Sequence, residues 1–193
     1  MSSAIQLIVG LGNPGAEYEE TRHNAGAWFV LNITRQHHAT LRHESKFFGL
    51  HCQMKSNDED CHFLIPTTFM NLSGQAIKAV SKFYKIPPEN ILIAHDEIDL
   101  PVGVVRLKQG GGHGGHNGLR DIIEKLGTPN FYRLRIGVGH PGDSREVIDY
   151  VLNKPKKTER EEIDFALQRA EKILPFVLAG EFQKAMHELH TEK

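Results

Sequence analysis

Short apolar runs alternate along this chain with stretches whose apolar residues recur at helical spacing. Ile5-Gln6-Leu7-Ile8-Val9-Gly10 is mostly apolar and ends at a glycine. Such a run predicts a strand covered on both faces. Leu11 to Thr21 carries Gly12, Pro14 and Gly15 and is expected to be a loop. Thr21 is placed to cap a helix from about Arg22 to His37, with Trp28, Val30, Leu31 and Ile33 among its apolar residues. Two further strands are expected at Phe47–Met54 and Cys61–Pro66, joined through the turn residues Ser56-Asn57-Asp58.

Asn71 is placed to cap a helix over Leu72–Tyr84, where Ile77, Val80 and Phe83 recur at helical spacing and Pro87-Pro88 ends the pattern. Ile91 to Ala94 reads as a buried strand running into His95-Asp96-Glu97, and Val102–Leu107 as another. A glycine-rich run from Gly110 to Gly118 leads into a helix over Leu119–Leu126. Arg133 to Val138 alternates charged and apolar residues, as a strand with two unlike faces does. After Pro141 the chain reads as helical, interrupted at Pro155 and Pro175. Alternating strands and helices predict an α/β fold: a single globular domain over residues 1–193, with a mixed twisted β-sheet surrounded by α-helices. The C-terminal segment, about 156–193, belongs to it and is the most charged part, expected as a solvated helical face, with a partner-binding role as the alternative.

Composition narrows the picture only a little. The 193 residues are 39% hydrophobic and 24% charged, with a formal net charge of −1, so the chain is neither disordered nor polybasic. Cys52 and Cys61 are the two cysteines and have no CxxC partner, which argues against a disulfide scaffold and for a reducing, cytoplasmic setting. No secretory leader and no run of about 20 apolar residues is seen, so no membrane association is expected.

Charge is distributed unevenly. Between Gly103 and Gly139, six basic residues (Arg106, Lys108, Arg120, Lys125, Arg133, Arg135) face two acidic ones, Asp121 and Glu124. That local excess fits contact with a phosphate backbone, although acids folded nearby could also balance it. Alternation puts Arg133 and Arg135 on one strand face, toward a common target.

Three motifs carry candidate chemistry. Gly10-Leu11-Gly12-Asn13-Pro14-Gly15 matches G-x-G-x-x-G after a strand, the outline of a dinucleotide site. Pro14 and the nearby Glu17, Glu19 and Glu20 oppose that reading, because carboxylates repel a pyrophosphate. Asn13 remains a candidate donor at the strand's carboxyl end. The run Gly110 to Gly118 holds six glycines in nine residues, which permits a close backbone or ligand approach at a conformational cost. His113 and His116 within it could pair on zinc, but no HExxH or CxxC accompanies them. His23 near a helix start and Asp96 at a strand end are a candidate base and its orienting acid. Their separation in sequence does not show that they meet.

These segments together resemble the bacterial peptidyl-tRNA hydrolase family. The likeness is carried by Ile8 to Gly15, Tyr18 with Thr21-Arg22-His23-Asn24-Ala25-Gly26, Pro66 to Gly74, His95 to Pro101, the glycine run through Asn117-Gly118-Leu119, and Arg133 to Pro141. The resemblance implies a cytoplasmic monomer that cleaves the ester joining a peptide to the 3′-terminal ribose of tRNA, without metal or cofactor. It implies His23 as general base, Asp96 as its orienting carboxylate, and Asn13 and Asn71 in the catalytic set. It implies Tyr18, Phe69, Met70, Asn71, His116 and Asn117 as substrate contacts, and Lys108 with Arg135 as a clamp on a tRNA phosphate. The alternative is a plastid-type relative that binds RNA in splicing and does not hydrolyse.

Overall fold

The computed structural model describes residues 4–191. The ends of the expected 1–193 domain, residues 1–3 and 192–193, lie outside them. In chain order the strands are β1 (Leu7–Gly10), β2 (Arg42–Glu44), β3 (Gly49–Ser56), β4 (Glu59–Pro66), β5 (Ile91–Glu97), β6 (Val105–Gln109) and β7 (Tyr132–Gly137). The helices are α1 (Ala25–Gln36), α2 (Gly74–Tyr84), α3 (Asn117–Leu126), α4 (Val147–Val151), α5 (Lys157–Lys172), α6 (Leu174–Leu178) and α7 (Phe182–Thr191).

The strands form one mixed sheet in the order β2-β3-β4-β1-β5-β7-β6. Strands β4, β1, β5 and β7 are parallel at its centre; β2, β3 and β6 add antiparallel edges. The apolar run at β1 is buried throughout. Ile8 packs on one side with α1 residues such as Phe29 and Ile33, while Leu7 and Val9 pack on the other with Ile77 and Val80 of α2. Helices α1, α5, α6 and α7 cover the first face; α2 and α3 cover the second.

Several expected boundaries move, each for a local reason. Helix α1 begins only at Ala25, after a 3-10 turn over Arg22–Asn24. Thr21 does not cap it; its hydroxyl donates to the Tyr18 carbonyl at 2.8 Å. Asn71 is not a cap either, but lies in a 3-10 turn over Met70–Leu72. The first amide of α2, Gly74 N–H, donates instead to the Asp121 carboxylate at 2.7 Å, so the helix is capped from α3 rather than from its own chain. Asn57 and Asp58 both adopt positive φ, 51° and 66°, as a two-residue hairpin turn requires. Pro175 falls in the first turn of α6 and starts that helix, because it has no N–H to lose there. Strand β6 starts at Val105, after a turn in which Val104 N–H donates to the Pro101 carbonyl.

Two glycines bring α1 against the sheet where β1 and β5 end. A Cβ on Gly26 would lie 2.1 Å from the Ala94 carbonyl oxygen, and one on Gly10 would lie 2.4 Å from the Gly26 carbonyl oxygen. Backbone therefore touches backbone, and the turn carrying His23 is held beside the residues that follow Ala94. Gly26→Ala must separate these elements. We expect it to lower stability by about 1–3 kcal/mol, the usual cost of overpacking, read by urea denaturation. The same variant should lose, in its folded fraction, the ester hydrolysis that the resemblance implies, and unchanged activity would contradict this account of the packing.

Candidate active site

Asp96 emerges near the carboxyl end of β5 and is 3% exposed. A buried carboxylate is tolerable only when hydrogen-bonded and paired. Two histidines do this. His23 Nδ1 lies 2.9 Å from both Asp96 oxygens, and His116 Nε2 lies 2.9 Å from Oδ1. The 73-residue gap between His23 and Asp96 closes because the Arg22–Asn24 turn leads into α1, which packs along β5.

Protonation follows from the partners. An ionised carboxylate only accepts, so His23 Nδ1 donates and Nε2 is left with its lone pair. His116 Nδ1 accepts from the backbone N–H groups of Gly118 and Leu119, at 3.1 and 3.3 Å, which makes it the cap of α3. Its proton therefore sits on Nε2 and is donated to Asp96. Burial pulls the His23 pKa down, but the charge and hydrogen bond of Asp96 outweigh it and leave the pKa above the ordinary histidine value. Burial pushes Asp96 upward, and the two histidines overcome it, holding the carboxyl well below the usual carboxylate range. Next door, burial and His116 push the pKa of His95 down to about 3. It stays neutral and its Nδ1–H donates to the Asp96 carbonyl at 2.8 Å.

His23, Asp96 and His116 also present ligand atoms within 4.8 Å of one another. Both nitrogens of His116 and both oxygens of Asp96 are already engaged. A metal ion would have to break the hydrogen bonds that hold the three together. His113 does not join His116 as a zinc pair; its Nδ1 accepts from Gly115 N–H at 2.9 Å, and it lines a different cavity.

The histidines open onto a cavity of about 730 Å³ whose wall includes Asn13, Phe69, Met70, Asn71 and Asn117. Asn13 is fixed from two sides. Its backbone exchanges hydrogen bonds with the Asn24 side chain, at 2.9 and 3.0 Å, and its Oδ1 accepts from Met70 N–H at 2.7 Å. That leaves its amide NH2 as the donor offered to the cavity. Phe69 is 56% exposed at the mouth. Tyr18 meets it edge-on at 6.4 Å and stands behind it, outside the cavity wall.

Sequence reasoning gave no separate role to Asn24, whose side chain orients Asn13, nor to the apolar wall from Ile98, Val147, Ile148 and Val151. No spacing rule announces these residues. The G-x-G-x-x-G outline is not a dinucleotide site. The next helix begins at Ala25, well past the motif, and a Cβ on Gly12 would meet the Asn24 side chain at 2.8 Å.

Lys108 and Arg135 line a second, smaller cavity of about 270 Å³, which shares Glu97 and Gly114 with the first. Arg106, Lys108, Arg133 and Arg135 share one face of the β6–β7 pair, with Arg106 opposite Arg135 and Lys108 opposite Arg133. Like charges placed opposite one another destabilise a sheet, so this face is poised for an anion. Arg135 Nε donates to Glu97 at 2.9 Å. Arg133 lines the same cavity, as the shared strand face requires, but its hydrogen bonds go elsewhere. Arg133 is 3% exposed and gives its Nη groups to the carbonyls of Gly111, Gly112 and Pro129.

The His116 contacts yield a test. His116→Asn can still cap α3 but is too short to reach Asp96. Asp96 would then share its charge with His23 alone and bind that imidazolium more tightly. We expect the acid limb of the pH–rate profile to move to higher pH, and the melting temperature to fall because the buried carboxylate loses a donor, with each rate normalised to the folded fraction. An unmoved limb would show that His116 does not act on Asp96.

The geometry agrees with comparisons to known proteins. The sequence profile of a family described as Peptidyl-tRNA hydrolase matches residues 7–193. Proteins named peptidyl-tRNA hydrolase from Tolumonas auensis and Aliivibrio fischeri are 54% and 56% identical, covering all of this chain and 98% and 99% of their own lengths. The crystal structure of peptidyl-tRNA hydrolase from Acinetobacter baumannii superposes with a TM-score of 0.96 at 49% identity, covering 100% of this chain and 97% of that one. A complex of peptidyl-tRNA hydrolase with N-propanol gives the same TM-score at 48% identity, covering 100% of this chain and 98% of that one. With the fold, the full-length match and these relatives in agreement, the chain belongs to the peptidyl-tRNA hydrolase family, which hydrolyses the ester between peptide and tRNA.

Proposed function

We propose that His23 and Asp96 carry the ester hydrolysis of this family and that the three asparagines around them select and orient the substrate. The observation that carries the assignment is the His23 Nδ1 contact to both Asp96 oxygens at 2.9 Å, with Nε2 left free at the cavity. Nε2 takes a proton from water as the water attacks the ester carbonyl. Asp96 stabilises the imidazolium that forms, and as the ester C–O bond breaks the proton passes to the departing ribose oxygen, which leaves as the hydroxyl.

Asn71 supplies an amide donor to the developing oxyanion; losing one such donor costs about 2.7–4 kcal/mol of transition-state stabilisation. Asn117, at the start of α3, positions the water or the peptide backbone. Asn13 offers its NH2 as a donor, while its oxygen is turned to Met70 N–H. A peptide carbonyl next to the scissile ester satisfies that donor, whereas a free α-ammonium brings only further donors. This supports a preference for N-blocked substrates. Phe69 and Met70 line the chamber, and Tyr18 buttresses Phe69.

Lys108 and Arg135 clamp a phosphate of the tRNA body from the second cavity. The basic face supports this role, since phosphate contacts give affinity that falls as salt rises. The site is complete within one chain and needs no residue from a second copy, which supports a single unit working as a monomer. Among the described residues no helix is long and apolar enough to cross a membrane. A substrate made by ribosomes supports a cytoplasmic setting. The chemistry needs no cofactor. An RNA-binding role without hydrolysis is not favoured, since the base, its carboxylate and all three amides are in place.

N-acetyl-aminoacyl-tRNA and unblocked aminoacyl-tRNA, incubated with the enzyme in EDTA, test the assignment. The blocked substrate should be cleaved and the unblocked one spared. His23→Ala should reduce kcat by about 10²–10⁴, the range of a lost general base, with tRNA binding retained. A variant that keeps its rate would remove His23 from the mechanism. Because the base must be neutral, kcat/KM should rise with pH through a midpoint above the ordinary histidine value.

The paired variant Lys108→Ala, Arg135→Ala should raise KM for the tRNA substrate and flatten its salt dependence. It should barely affect a short N-acetyl-aminoacyl ester of adenosine. Equal damage to both substrates would sink the clamp.

A further inference from the structure

The glycine run bridges the two cavities. It leaves β6 after Gln109, next to Lys108, and re-enters the fold at His116, the residue that both caps α3 and donates to Asp96. Little packing holds it. Gly110, Gly111, Gly114 and Gly115 all have positive φ, and a Cβ placed on Gly112, Gly114 or Gly115 would meet nothing within 4 Å. Within the loop, Gly115 N–H donates to the His113 ring and His116 N–H to the His113 carbonyl. Those bonds tie the loop to itself; at its base Gly110 N–H donates to the Phe131 carbonyl at 2.9 Å, and the residues beyond rely on a side chain. A glycine-rich segment with so few contacts has much conformational freedom to lose.

The anchor is Arg133. From β7 its Nη1 donates to the Gly112 carbonyl and its Nη2 to those of Gly111 and Pro129, and its guanidinium lies 4.6 Å from the centre of the Phe131 ring. The side chain is buried, and its recorded hydrogen-bond partners are all backbone carbonyls. Lys108 lies opposite it in the sheet and Arg135 follows two residues on. A buried cation among cations is costly. Holding a loop by its carbonyls does not by itself need a charge. It does need a planar fork with several donors, which a guanidinium has and an ammonium lacks.

We propose that Arg133 is a positioning residue for the hydrolysis: by holding the carbonyls of Gly111 and Gly112 it fixes the loop that sets His116 against Asp96 and Asn117 against the substrate. Lys108 and Arg135 address the tRNA body. Arg133, in the same strand pair, acts instead on the reaction centre.

Arg133→Lys keeps the charge and loses the fork. It should lower kcat by about 10- to 100-fold, the scale expected from a small misplacement of catalytic groups. The loss should be as large on the short adenosine ester as on the tRNA substrate. It should also move the acid limb of the pH–rate profile to higher pH, as His116→Asn does, and the two changes combined should move it no further. Thermal unfolding gives the folded fraction to which every rate is normalised. Gly112→Ala lies in open space without positive φ and stiffens the loop at little cost. Added to Arg133→Lys, it should restore part of kcat. A raised KM for tRNA with the short ester untouched would make Arg133 a phosphate contact and overturn the proposal. So would a rate loss explained by unfolding alone, or an acid limb that stays in place.

Discussion

One buried negative charge organises this molecule. Asp96 sits at the end of a central parallel strand, almost wholly out of water, and is stabilised by donors from two directions. His23 comes from the turn before α1 and His116 from the cap of α3, helices that cover opposite faces of the sheet. The carboxylate therefore pins together the two layers at the point where they meet the strand ends. Removing either donor leaves a buried charge less satisfied, so structure and chemistry depend on the same contacts. The backbone-to-backbone approach of Gly26 to Ala94 is what allows α1 to bring His23 that close.

Around that charge the site divides its work by polarity. The larger cavity offers amides and an apolar wall, a surface suited to peptide backbone and varied side chains. The smaller one gathers cations on one face of an antiparallel strand pair. The two share Glu97 and Gly114, and the glycine loop runs between them. On the assignment proposed above, recognition of the tRNA body and of the ester would be altered separately at Lys108 or Asn71, while Arg133 and His116 touch the framework common to both.

Much of this was legible in the residues. The apolar runs of β1 and β5, the Asn57-Asp58 hairpin and the amphipathic helices follow from periodicity and turn chemistry, which are local properties. The errors have local causes too. The extended edge at Arg42–Glu44 has no hydrophobic signature, because it is three residues long and largely exposed. Thr21 and Asn71 are reasonable cap residues by type, but a cap from another element, Asp121, was available to α2 and no spacing reveals it. Arg133 and Arg135 do share a strand face as alternation requires, yet one reaches Glu97 and the other the loop carbonyls.

The sequence by itself determined the class of fold, the order of most elements and, through a resemblance spread over six motifs, the reaction and its candidate residues. A helix or strand turns the same face to the core at a fixed spacing, so burial leaves a readable period along the chain. Only the tertiary structure decided that His116 has no free nitrogen, that the Asn13 oxygen is turned to Met70 and its NH2 to the cavity, and that Arg133 holds the loop carbonyls. Those are questions of which hydrogen bonds each polar group has already made. The partners lie 20 to 57 residues away for the Asp96–His116, Arg133–loop and Asn13–Met70 contacts. A directional bond across such a distance is fixed by the packing of whole elements and leaves no trace in local spacing.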